Sequence, residues 1–528
     1  MNNRRIKIIF LSIVLFAAIL TGRLVFLQIV RYDFYLAMAR GQQQFFPTLQ
    51  AERGEIFFHG QQLPVATNKV YYYLYLSPVE IALEEKEEVS LALSVITELD
   101  KDVLFERIKR NSLYEPLKYE LEEEEIEKIQ NLNIKGVYIG RGIRRFYPYE
   151  NFAAHVLGFV NKDGFGQYGA EEYWDQVLRS DKNSRINLTI DYNIQYEAEK
   201  LLAKASQQLK IEGGTIIVIE PNSGKILTLA QWPSFNPNQY TKEEIAIFKL
   251  DATQKVFEPG SAFKPITMAA AINQEKITPH TTYNDPGIIY IGGWPIRNYQ
   301  QRTYPGDITM IEVLEKSINT GAVYALNQLG NKAFAEYIEK FGVFEKTGID
   351  LRGEVVPLNR EFKQAREINF ATASYGQGIE MTPLQLVRVF TAVANDGKMV
   401  KPFLLEGTEP EVSLPIISQK SAGQLTVMMV SVVENGWAKA AKIPGYYIAG
   451  KTGTSQIAYA ALGVDKKGYS DKTWQSFIGF APAFDPQFLI LVKLDNPQAR
   501  TAEYSALPVF RELAKYIIDY QQIPPDYE

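Results

Sequence analysis

The feature that most constrains the fold of this chain is a turn that leads directly into an alanine-rich helical segment, at residues 258–273. The first three residues, Glu-Pro-Gly, are typical of turns, and the apolar residues behind them recur at helical spacing. This pattern predicts that Ser261 lies at or near the N-terminus of a helix, with Lys264 three residues later on the same face. A serine hydroxyl becomes a good nucleophile only when a neighbouring base removes its proton, so the segment is a candidate catalytic centre.

Pro265 supports this placement of the helix. In a helix interior a proline removes a hydrogen bond, whereas in the first turn its missing N–H has no intrahelical partner to lose. A proline also disfavours helical dihedral angles in the residue before it, so the sequence defines the start of the helix near Lys264 only to within about one residue. The helix N-terminus, desolvation and a second cation would each lower the pKa of Lys264 and so favour the neutral amine that a base requires.

Two further motifs follow along the chain. Ser-Ile-Asn at residues 317–319 lies within a helical pattern over residues 312–329, and Lys-Thr-Gly-Thr at residues 451–454 follows an apolar run. The order Ser-x-x-Lys, Ser-x-Asn, Lys-Thr-Gly is the signature of penicillin-interacting enzymes, here with Ser-x-Asn in place of Ser-Asp-Asn. Each motif alone is compatible with a capping serine or a surface turn, but three in this order indicate one shared site. On these residues the sequence resembles the class B penicillin-binding proteins.

Composition narrows the classes of function. At 528 residues the chain is long enough for two to four domains, and 46% hydrophobic with 22% charged residues is typical of globular proteins with ample cores. The net charge of −5 argues against nucleic acid as the main partner. With no cysteine and only three histidines, neither a zinc or thiolate metal site nor a Ser-His-Asp triad is expected, and no metal or cofactor is predicted.

The N-terminus has the pattern of a membrane anchor. Basic residues at positions 4, 5 and 7 precede an uncharged, mostly apolar stretch at residues 8–22, and Arg23 separates it from a further mostly apolar run to Val30. A helix over residues 8–30 would be roughly 34 Å long, enough to cross a bilayer. We expect residues 1–7 to be a cytoplasmic tail and residues 8–30 an uncleaved transmembrane helix, since no convincing small-x-small cleavage site follows the apolar core. The basic flank predicts that everything after Val30 lies outside the cytoplasm, at the cell (inner) membrane.

Residues 31–185 are predicted to form a non-catalytic pedestal, or dimerisation, domain of mixed α/β structure. Arg-Gly-Glu-Ile at residues 53–56 and three stretches between residues 144 and 172 resemble the pedestal of class B penicillin-binding proteins. The turn after the first motif departs from the Asp-Arg-Asn-Gly that is usual in the family, since this chain has Phe-Phe-His-Gly there. The acidic region between residues 80 and 130 keeps its leucines and isoleucines at helical spacing, which favours small helices with solvated faces.

Residues 186–528 are predicted to form the penicillin-binding transpeptidase domain. An aspartate at position 191 is expected to cap an amphipathic helix that extends to Leu209. Apolar strand patterns follow at residues 215–220, 225–230, 446–454, 474–481 and 488–495, and a last helix spans about 507–520. These elements predict an α+β fold with a helix-flanked antiparallel sheet. The resemblance implies five strands, with Lys-Thr-Gly on the strand that borders the active site.

The resemblance also implies a catalytic role for each motif. Ser261 would attack the carbonyl between the two D-alanines of a peptidoglycan stem peptide, release the terminal D-alanine and form an acyl-enzyme, with Lys264 as the base. Ser317 and Asn319 would relay the proton to the leaving amine and hold the substrate amide, and Lys451 would attract the substrate carboxylate. The amine of a second strand would then attack the acyl-enzyme and close a cross-link. The identity of the base is disputed in this superfamily, and the sequence leaves it open.

The remaining motif residues are implied to bind substrate. Thr452 and Thr454 carry hydroxyls suited to the carboxylate, with Gly453 between them, and the backbone N–H groups of Ser261 and Thr454 would form the oxyanion hole. β-Lactams would acylate the serine because they mimic the D-alanyl-D-alanine end of the stem peptide.

The resemblance favours a septal role in cell division, because residues 370–386 are similar to a stretch of division-type members. It implies as partners the cell membrane, a polytopic glycan polymerase and other division proteins. The alternatives are a side-wall elongation transpeptidase that maintains cell shape, a β-lactamase-like serine hydrolase, and an inactive division scaffold. The anchor and pedestal argue against the hydrolase, and the intact motifs argue against the scaffold.

Overall fold

The computed structural model describes residues 11, 13–17, 20–21, 23 and 52–528. The predicted tail at residues 1–7, most of the predicted anchor at residues 8–30, and residues 31–51 of the predicted pedestal lie outside this part of the chain, so these assignments stay predictions. Among the residues that the structure describes, no helix combines the length and the hydropathy that a membrane span needs.

From residue 52 onward, the chain contains both strands and α-helices. The strands are β1 (Glu55–Phe57), β2 (Thr67–Leu76), β3 (Glu115–Tyr119), β4 (Val137–Phe146), β5 (Phe159–Val160), β6 (Gly166–Gln167), β7 (Arg185–Asn187), β8 (Gly213–Ile219), β9 (Ile226–Trp232), β10 (Thr282–Asn284), β11 (Ile288–Ile291), β12 (Trp294–Arg297), β13 (Asp307–Thr309), β14 (Ala449–Ala458), β15 (Tyr469–Ala481) and β16 (Phe488–Asp495). The α-helices are α1 (Lys86–Thr97), α2 (Lys101–Ile108), α3 (Glu123–Leu132), α4 (Ala154–Leu157), α5 (Gly169–Tyr173), α6 (Asp175–Ser180), α7 (Tyr192–Leu209), α8 (Asp251–Gln254), α9 (Lys264–Asn273), α10 (Met310–Glu315), α11 (Asn319–Leu329), α12 (Asn331–Lys340), α13 (Arg360–Lys363), α14 (Glu367–Ala373), α15 (Pro383–Ala394), α16 (Gln419–Glu434) and α17 (Ala506–Gln521).

The described residues pack into two compact units. The first consists mainly of Asn68–Phe146, and the second contains Phe165–Glu528 together with Gly54–Thr67 and Tyr147–Asn161. The predicted domain boundary after residue 185 stays a prediction, because a unit defined by packing need not coincide with a domain that folds alone.

The first unit is a small sheet with helices. The strand order is β3-β2-β4, and β2 and β3 run antiparallel. Apolar residues of β2, of helices α1, α2 and α3 and of the connections beside them form a separate core: Leu74, Leu76, Ile81, Val89, Leu93, Leu104, Ile108, Leu121 and Ile129. Many of the glutamates of these helices are exposed, as at Glu87, Glu88, Glu123 and Glu124. The small helices with solvated faces that the acidic region predicts are therefore present.

The second unit is built on a five-stranded antiparallel sheet with the order β14-β15-β16-β8-β9. The predicted sheet of strands from both ends of the domain is thus confirmed. Every residue of β8 and β16 is buried. Helices α7 and α17 pack on each other and on the sheet, and α15 and α16 do the same. Since residues on both faces of the central strands are buried, these two helix pairs cover opposite faces.

The helix predicted after position 191 is confirmed as α7. The Asp191 side chain accepts hydrogen bonds from the backbone N–H groups of Asn193 and Ile194 at 2.8 and 3.0 Å, which satisfies two free donors at the helix start. Its buried face carries Ile194, Ala198, Leu201, Leu202 and Ala205. The last predicted helix is confirmed as α17.

One predicted helix is wrong. The apolar pattern over residues 312–329 predicts a continuous helix, but α10 ends at Glu315 and α11 begins at Asn319. Ser317 lies between them with φ of +54°, a left-handed conformation that ends a right-handed helix. The apolar periodicity continues across the break because both helices bury their apolar residues, so the spacing alone did not reveal it.

Candidate active site

Ser261 lies in a 3₁₀ turn, Gly260–Phe263, that runs directly into α9. Lys264 is the first residue of α9, with helical φ and ψ of −54° and −40°. The bias that Pro265 imposes on the preceding residue is therefore overridden here, and the proline occupies the first helical turn. As a result the Lys264 Nζ lies 3.0 Å from the Ser261 Oγ.

The hydrogen-bond partners around the Lys264 Nζ suit a neutral amine. Its side chain is fully buried, and desolvation, followed by the nearby Lys451, lowers its pKa well below the usual value. The Nζ lies 2.6 Å from the carbonyl oxygen of Ser317 and 3.1 Å from the Ser317 Oγ. A neutral amine has two N–H groups and one lone pair. Its N–H groups can serve the two Ser317 oxygens, which leaves the lone pair for the hydroxyl proton of Ser261.

Ser317 joins the two lysines of the site. Its Oγ lies 3.1 Å from the Lys264 Nζ and 3.0 Å from the Lys451 Nζ. The left-handed conformation of Ser317, which costs roughly 1 kcal/mol or more for a residue with a Cβ, gives it this position between α10 and α11. The hydroxyl can therefore pass a proton between groups on either side of it.

Lys451 lies on β14, the edge strand of the sheet, and its side chain is buried. Desolvation lowers its pKa to about 8, an effect that the carboxylate of Glu503 partly opposes. At neutral pH most Lys451 side chains are therefore charged, whereas burial and the nearby Lys451 charge hold the pKa of Lys264 well below its usual value. Two lysines about one hydroxyl apart thus favour opposite protonation states, which suits one as a base and the other as an electrostatic anchor.

Gly453 explains why the edge strand can approach the serine. A Cβ at this position would lie 2.7 Å from the Pro259 carbonyl oxygen and 2.5 Å from the Ser476 Oγ, both closer than real Cβ contacts. Next along the strand, the Ser455 Oγ donates to the Glu258 carbonyl oxygen at 2.6 Å. The strand is therefore held directly against the turn that carries Ser261, and Gly453 contributes close packing rather than a side chain.

Asn319 lies in the same cleft but outside the lysine and serine cluster. Its Nδ2 donates to the Arg297 carbonyl oxygen at 2.9 Å, and its backbone N–H donates to the Asn298 Oδ1 at 3.0 Å. The side chain is therefore anchored to the end of β12, beside Ser317.

A buried polar network behind the Ser-x-Asn motif was missed by the sequence analysis. The Asp285 Oδ1 accepts from the Thr320 Oγ1 at 2.6 Å and from the Asn298 Nδ2 at 3.0 Å, and all three residues are buried. The Thr320 N–H also donates to the Asn298 Oδ1 at 3.1 Å. The network fixes the N-terminus of α11 and with it the loop that carries Ser317. In the sequence, the Asp-Pro-Gly turn at residues 285–287 was the one pattern that pointed to this network.

Glu258 was predicted only as a turn residue, yet it is a buried carboxyl group three residues before Ser261. Desolvation raises the pKa of this carboxyl group to about 7. Hydrogen bonds from the Gly378 N–H and the Tyr469 hydroxyl act in the opposite direction and lower the pKa. These bonds connect the turn of Ser261 to β15 and to the loop after α14.

A cleft of about 440 Å³ runs past the serine. Of the predicted residues, Ser261, Ser317, Asn319, Thr452 and Thr454 line it. Cleft residues that the sequence analysis did not identify include the charged Arg302, Lys316, Arg500 and Glu503 and the aromatic Trp437. Among residues 52–528 and the few described before them, no group of three or more histidine, aspartate or glutamate side chains could hold a metal ion.

Comparison with protein families gives two matches. The family described as "Penicillin binding protein transpeptidase domain" matches residues 214–515, more than half of the 528 residues, and the "Penicillin-binding Protein dimerisation domain" matches residues 48–211. The boundary region between these matches lies near the start of β8.

Similar proteins agree with these families over nearly the whole chain. Stage V sporulation protein D of Bacillus subtilis is 28% identical over 94% of this chain and 82% of its own length. A peptidoglycan D,D-transpeptidase FtsI homolog of Mesostigma viride is 27% identical over 99% of this chain and 98% of its own. The crystal structure of penicillin binding protein 3 from Mycobacterium tuberculosis has a TM-score of 0.67 and 28% identity, and covers 72% of this chain and 92% of that one.

Proposed function

The chain belongs to the penicillin-binding protein transpeptidase family, and on that basis we propose that it is a peptidoglycan D,D-transpeptidase. It cross-links stem peptides through an acyl-enzyme on Ser261 and releases D-alanine. The observation that carries this proposal is the position of the Ser317 Oγ, within hydrogen-bond distance of both Lys264 and Lys451. The Lys264 Nζ in turn lies 3.0 Å from the Ser261 Oγ, the nucleophile. This arrangement supplies a base, a relay and a fixed positive charge around one serine.

The first chemical step uses the neutral amine of Lys264. As the Ser261 Oγ attacks the carbonyl carbon of the D-alanyl-D-alanine bond, its proton passes to the Lys264 Nζ. The proton then reaches the amine of the departing D-alanine through the Ser317 hydroxyl, the C–N bond breaks and an acyl-enzyme remains. A second strand's amine attacks the ester carbonyl, its proton returns by the same route, and the Ser261 hydroxyl is restored.

Lys451 and the two threonines position the substrate. The charged Lys451 attracts the terminal carboxylate, and the Thr452 and Thr454 hydroxyls on the edge strand are placed to bind it. The backbone N–H groups of Ser261 and Thr454 serve as the oxyanion hole, which stabilises the negative charge that develops in the transition state. Asn319 holds the substrate amide from the opposite wall of the cleft.

The cellular setting is proposed on sequence grounds. Residues 8–30 anchor the chain in the cell membrane with the N-terminus in the cytoplasm, which the apolar stretch and its basic flank support. The catalytic domain then lies outside, where the stem peptides are. A septal role is supported by the division-type stretch at residues 370–386 and by relatives that carry the name FtsI homolog. A polytopic glycan polymerase and other division proteins are the proposed partners.

A fluorescent penicillin tests the chemistry. We expect covalent labelling of the wild-type chain that persists for many minutes, and none of Ser261→Ala. Ser94→Ala, on an exposed face of α1, is the control and should be labelled like wild type. Labelling of Ser261→Ala would refute the assigned nucleophile, and rapid loss of label would favour a hydrolase. Depletion in the native cell separates the septal role, which predicts filaments, from side-wall elongation, which predicts round cells.

A further inference from the structure

Glu258 connects the segments that carry the two backbone N–H groups of the oxyanion hole. It belongs to the serine turn, residues 258–263, and precedes Ser261 by three residues. Its main-chain carbonyl oxygen accepts a hydrogen bond of 2.6 Å from the Ser455 Oγ, next to Thr454 on β14. Its side chain is only 8% exposed and bonds to two further segments. What these bonds hold in place indicates what the residue does.

Gly376, in the loop after α14, sets the direction of the Ser261 N–H. The Gly260 N–H donates to the Gly376 carbonyl oxygen at 3.0 Å. The Gly260 carbonyl oxygen in turn lies directly against Gly376, where a Cβ would be 2.1 Å from it. In a trans peptide the C=O and the following N–H point in opposite directions, so the Ser261 N–H points away from this loop. Since Gly260 and Ser261 line the cleft, the contact with Gly376 orients one oxyanion donor.

The Glu258 carboxyl group holds the loop after α14 in this position. Its Oε1 accepts a hydrogen bond of 3.1 Å from the Gly378 N–H, two residues after Gly376. The Tyr469 hydroxyl lies 3.0 Å from each of the two carboxyl oxygens. Tyr469 is the first residue of β15, which pairs with the edge strand β14. The carboxyl group therefore links the loop that orients the Ser261 N–H to the sheet.

The Thr454 N–H faces the serine turn from the edge strand. In an antiparallel strand the N–H and the C=O of one residue lie on the same side. The Thr454 carbonyl oxygen lies against Gly260, where a Cβ would be 2.9 Å from it, so the Thr454 N–H is on that side as well. The bond from Ser455 to the Glu258 carbonyl oxygen holds this part of β14 against the turn. The separation of the two oxyanion donors thus depends on Glu258 from both directions.

We propose that Glu258 is a positioning residue for the oxyanion hole. Its main-chain carbonyl holds the strand that carries Thr454, and its carboxyl group holds the loop that orients the Ser261 N–H. The inference rests on the proposed function, because acyl transfer is the reaction that places an oxyanion at this point. In the described part of the chain the carboxyl group forms hydrogen bonds and no ion pair, so its role requires hydrogen-bonding groups rather than a negative charge.

Infrared difference spectra of the full-length acyl-enzyme test this role directly. A penicillin that is isotopically labelled at its β-lactam carbonyl carbon leaves a labelled ester carbonyl on Ser261. The stretching frequency of that carbonyl falls when the N–H groups of the oxyanion hole donate to it. In Glu258→Ala we expect the band at a higher frequency than in wild type. The acylation rate, measured by stopped-flow, should fall about 10-fold to 100-fold, because a misplacement of about 1 Å can cost about 100-fold.

Glu258→Gln separates hydrogen bonding from charge. The glutamine Oε1 can accept from the Gly378 N–H, and its Nε2 can donate to the Tyr469 hydroxyl oxygen, so the band and the rate should stay close to wild type. Tyr469→Phe keeps the Gly378 bond, so it should shift the band in the same direction as Glu258→Ala and slow acylation about threefold, as expected for one hydrogen bond. Glu244→Ala, the same truncation at an exposed position, is the control and should match wild type.

Several outcomes would overturn the inference. An unshifted ester band in Glu258→Ala, with only a lower thermal stability or a slower rate, would assign Glu258 a role outside the oxyanion hole. A loss in Glu258→Gln as large as in Glu258→Ala would show that the charge is decisive. If Glu258→Ala does not fold, Tyr469→Phe decides, and an unshifted band with an unchanged rate there refutes the role. A wild-type protein that forms no ester band at all would instead refute the proposed function.

Discussion

Gly453→Ala tests whether the close approach of β14 to the serine turn sets the catalytic geometry. The added Cβ would lie 2.7 Å from the Pro259 carbonyl oxygen, where ordinary contact begins at 3.4 Å, so the strand or the turn must move by about 0.7 Å. A misplacement of about 1 Å can reduce a rate about 100-fold, so we expect penicillin acylation of Ser261 to fall between about 10-fold and 100-fold. Overpacking of this kind also destabilises a fold by about 1–3 kcal/mol.

Acylation is measured by stopped-flow with a reporter β-lactam, and stability by thermal unfolding. Gly423→Ala is the matched control, because a Cβ there meets nothing within 4 Å and α16 should gain about 0.5–1 kcal/mol. The second contact, 2.5 Å to the Ser476 Oγ, is removed in a Ser476→Ala background, but the Pro259 contact remains. We therefore expect Gly453→Ala to stay slow relative to that background. Full recovery of the acylation rate in the double variant would refute the reasoning.

Three further predictions concern protons and the buried network. Ser317→Ala removes the hydroxyl between Lys264 and Lys451, so acylation should fall on the order of 100-fold in stopped-flow, with little change in thermal stability. Acylation should be lost as pH falls through the lowered pKa of Lys264, because protonation of Lys264 removes the base. Acylation should also decline above about pH 8, because Lys451 then loses its charge and attracts the substrate carboxylate less. A single ascending limb with no alkaline decline would contradict the role of Lys451. Asp285→Asn should lower the free energy of unfolding by about 1–3 kcal/mol and slow acylation, whereas Asp307→Asn, at an exposed position, should do neither.

The sequence predicted those parts of the site that short motifs encode. Ser261 and Lys264 are three residues apart in one segment, so turn chemistry and helical spacing were enough to place them together. The five-stranded sheet followed from apolar strand patterns, although β14 extends to Ala458 and β15 begins at Tyr469, because the polar residues there lack an alternating pattern.

The remaining parts depend on contacts between distant residues. Asp285 pairs with Asn298 and Thr320, which are 13 and 35 residues away, and no local pattern links them. The left-handed conformation of Ser317 was also not predictable, because it is neither glycine nor asparagine, the residues that usually signal a positive φ. It is imposed by the packing of α10 and α11 around it.

The site is held differently on its two sides, and this decides which substitutions it can tolerate. On the sheet side, backbone lies against backbone at Gly453, so adding a single carbon is disruptive. On the helical side, a buried polar network holds the Ser317 loop, so removing a single hydrogen-bonding group is disruptive. Arg500 lines the same cleft, but its side chain is exposed and neither kind of contact holds it. Changes in substrate selection that preserve the chemistry should therefore arise at exposed cleft residues such as Arg500.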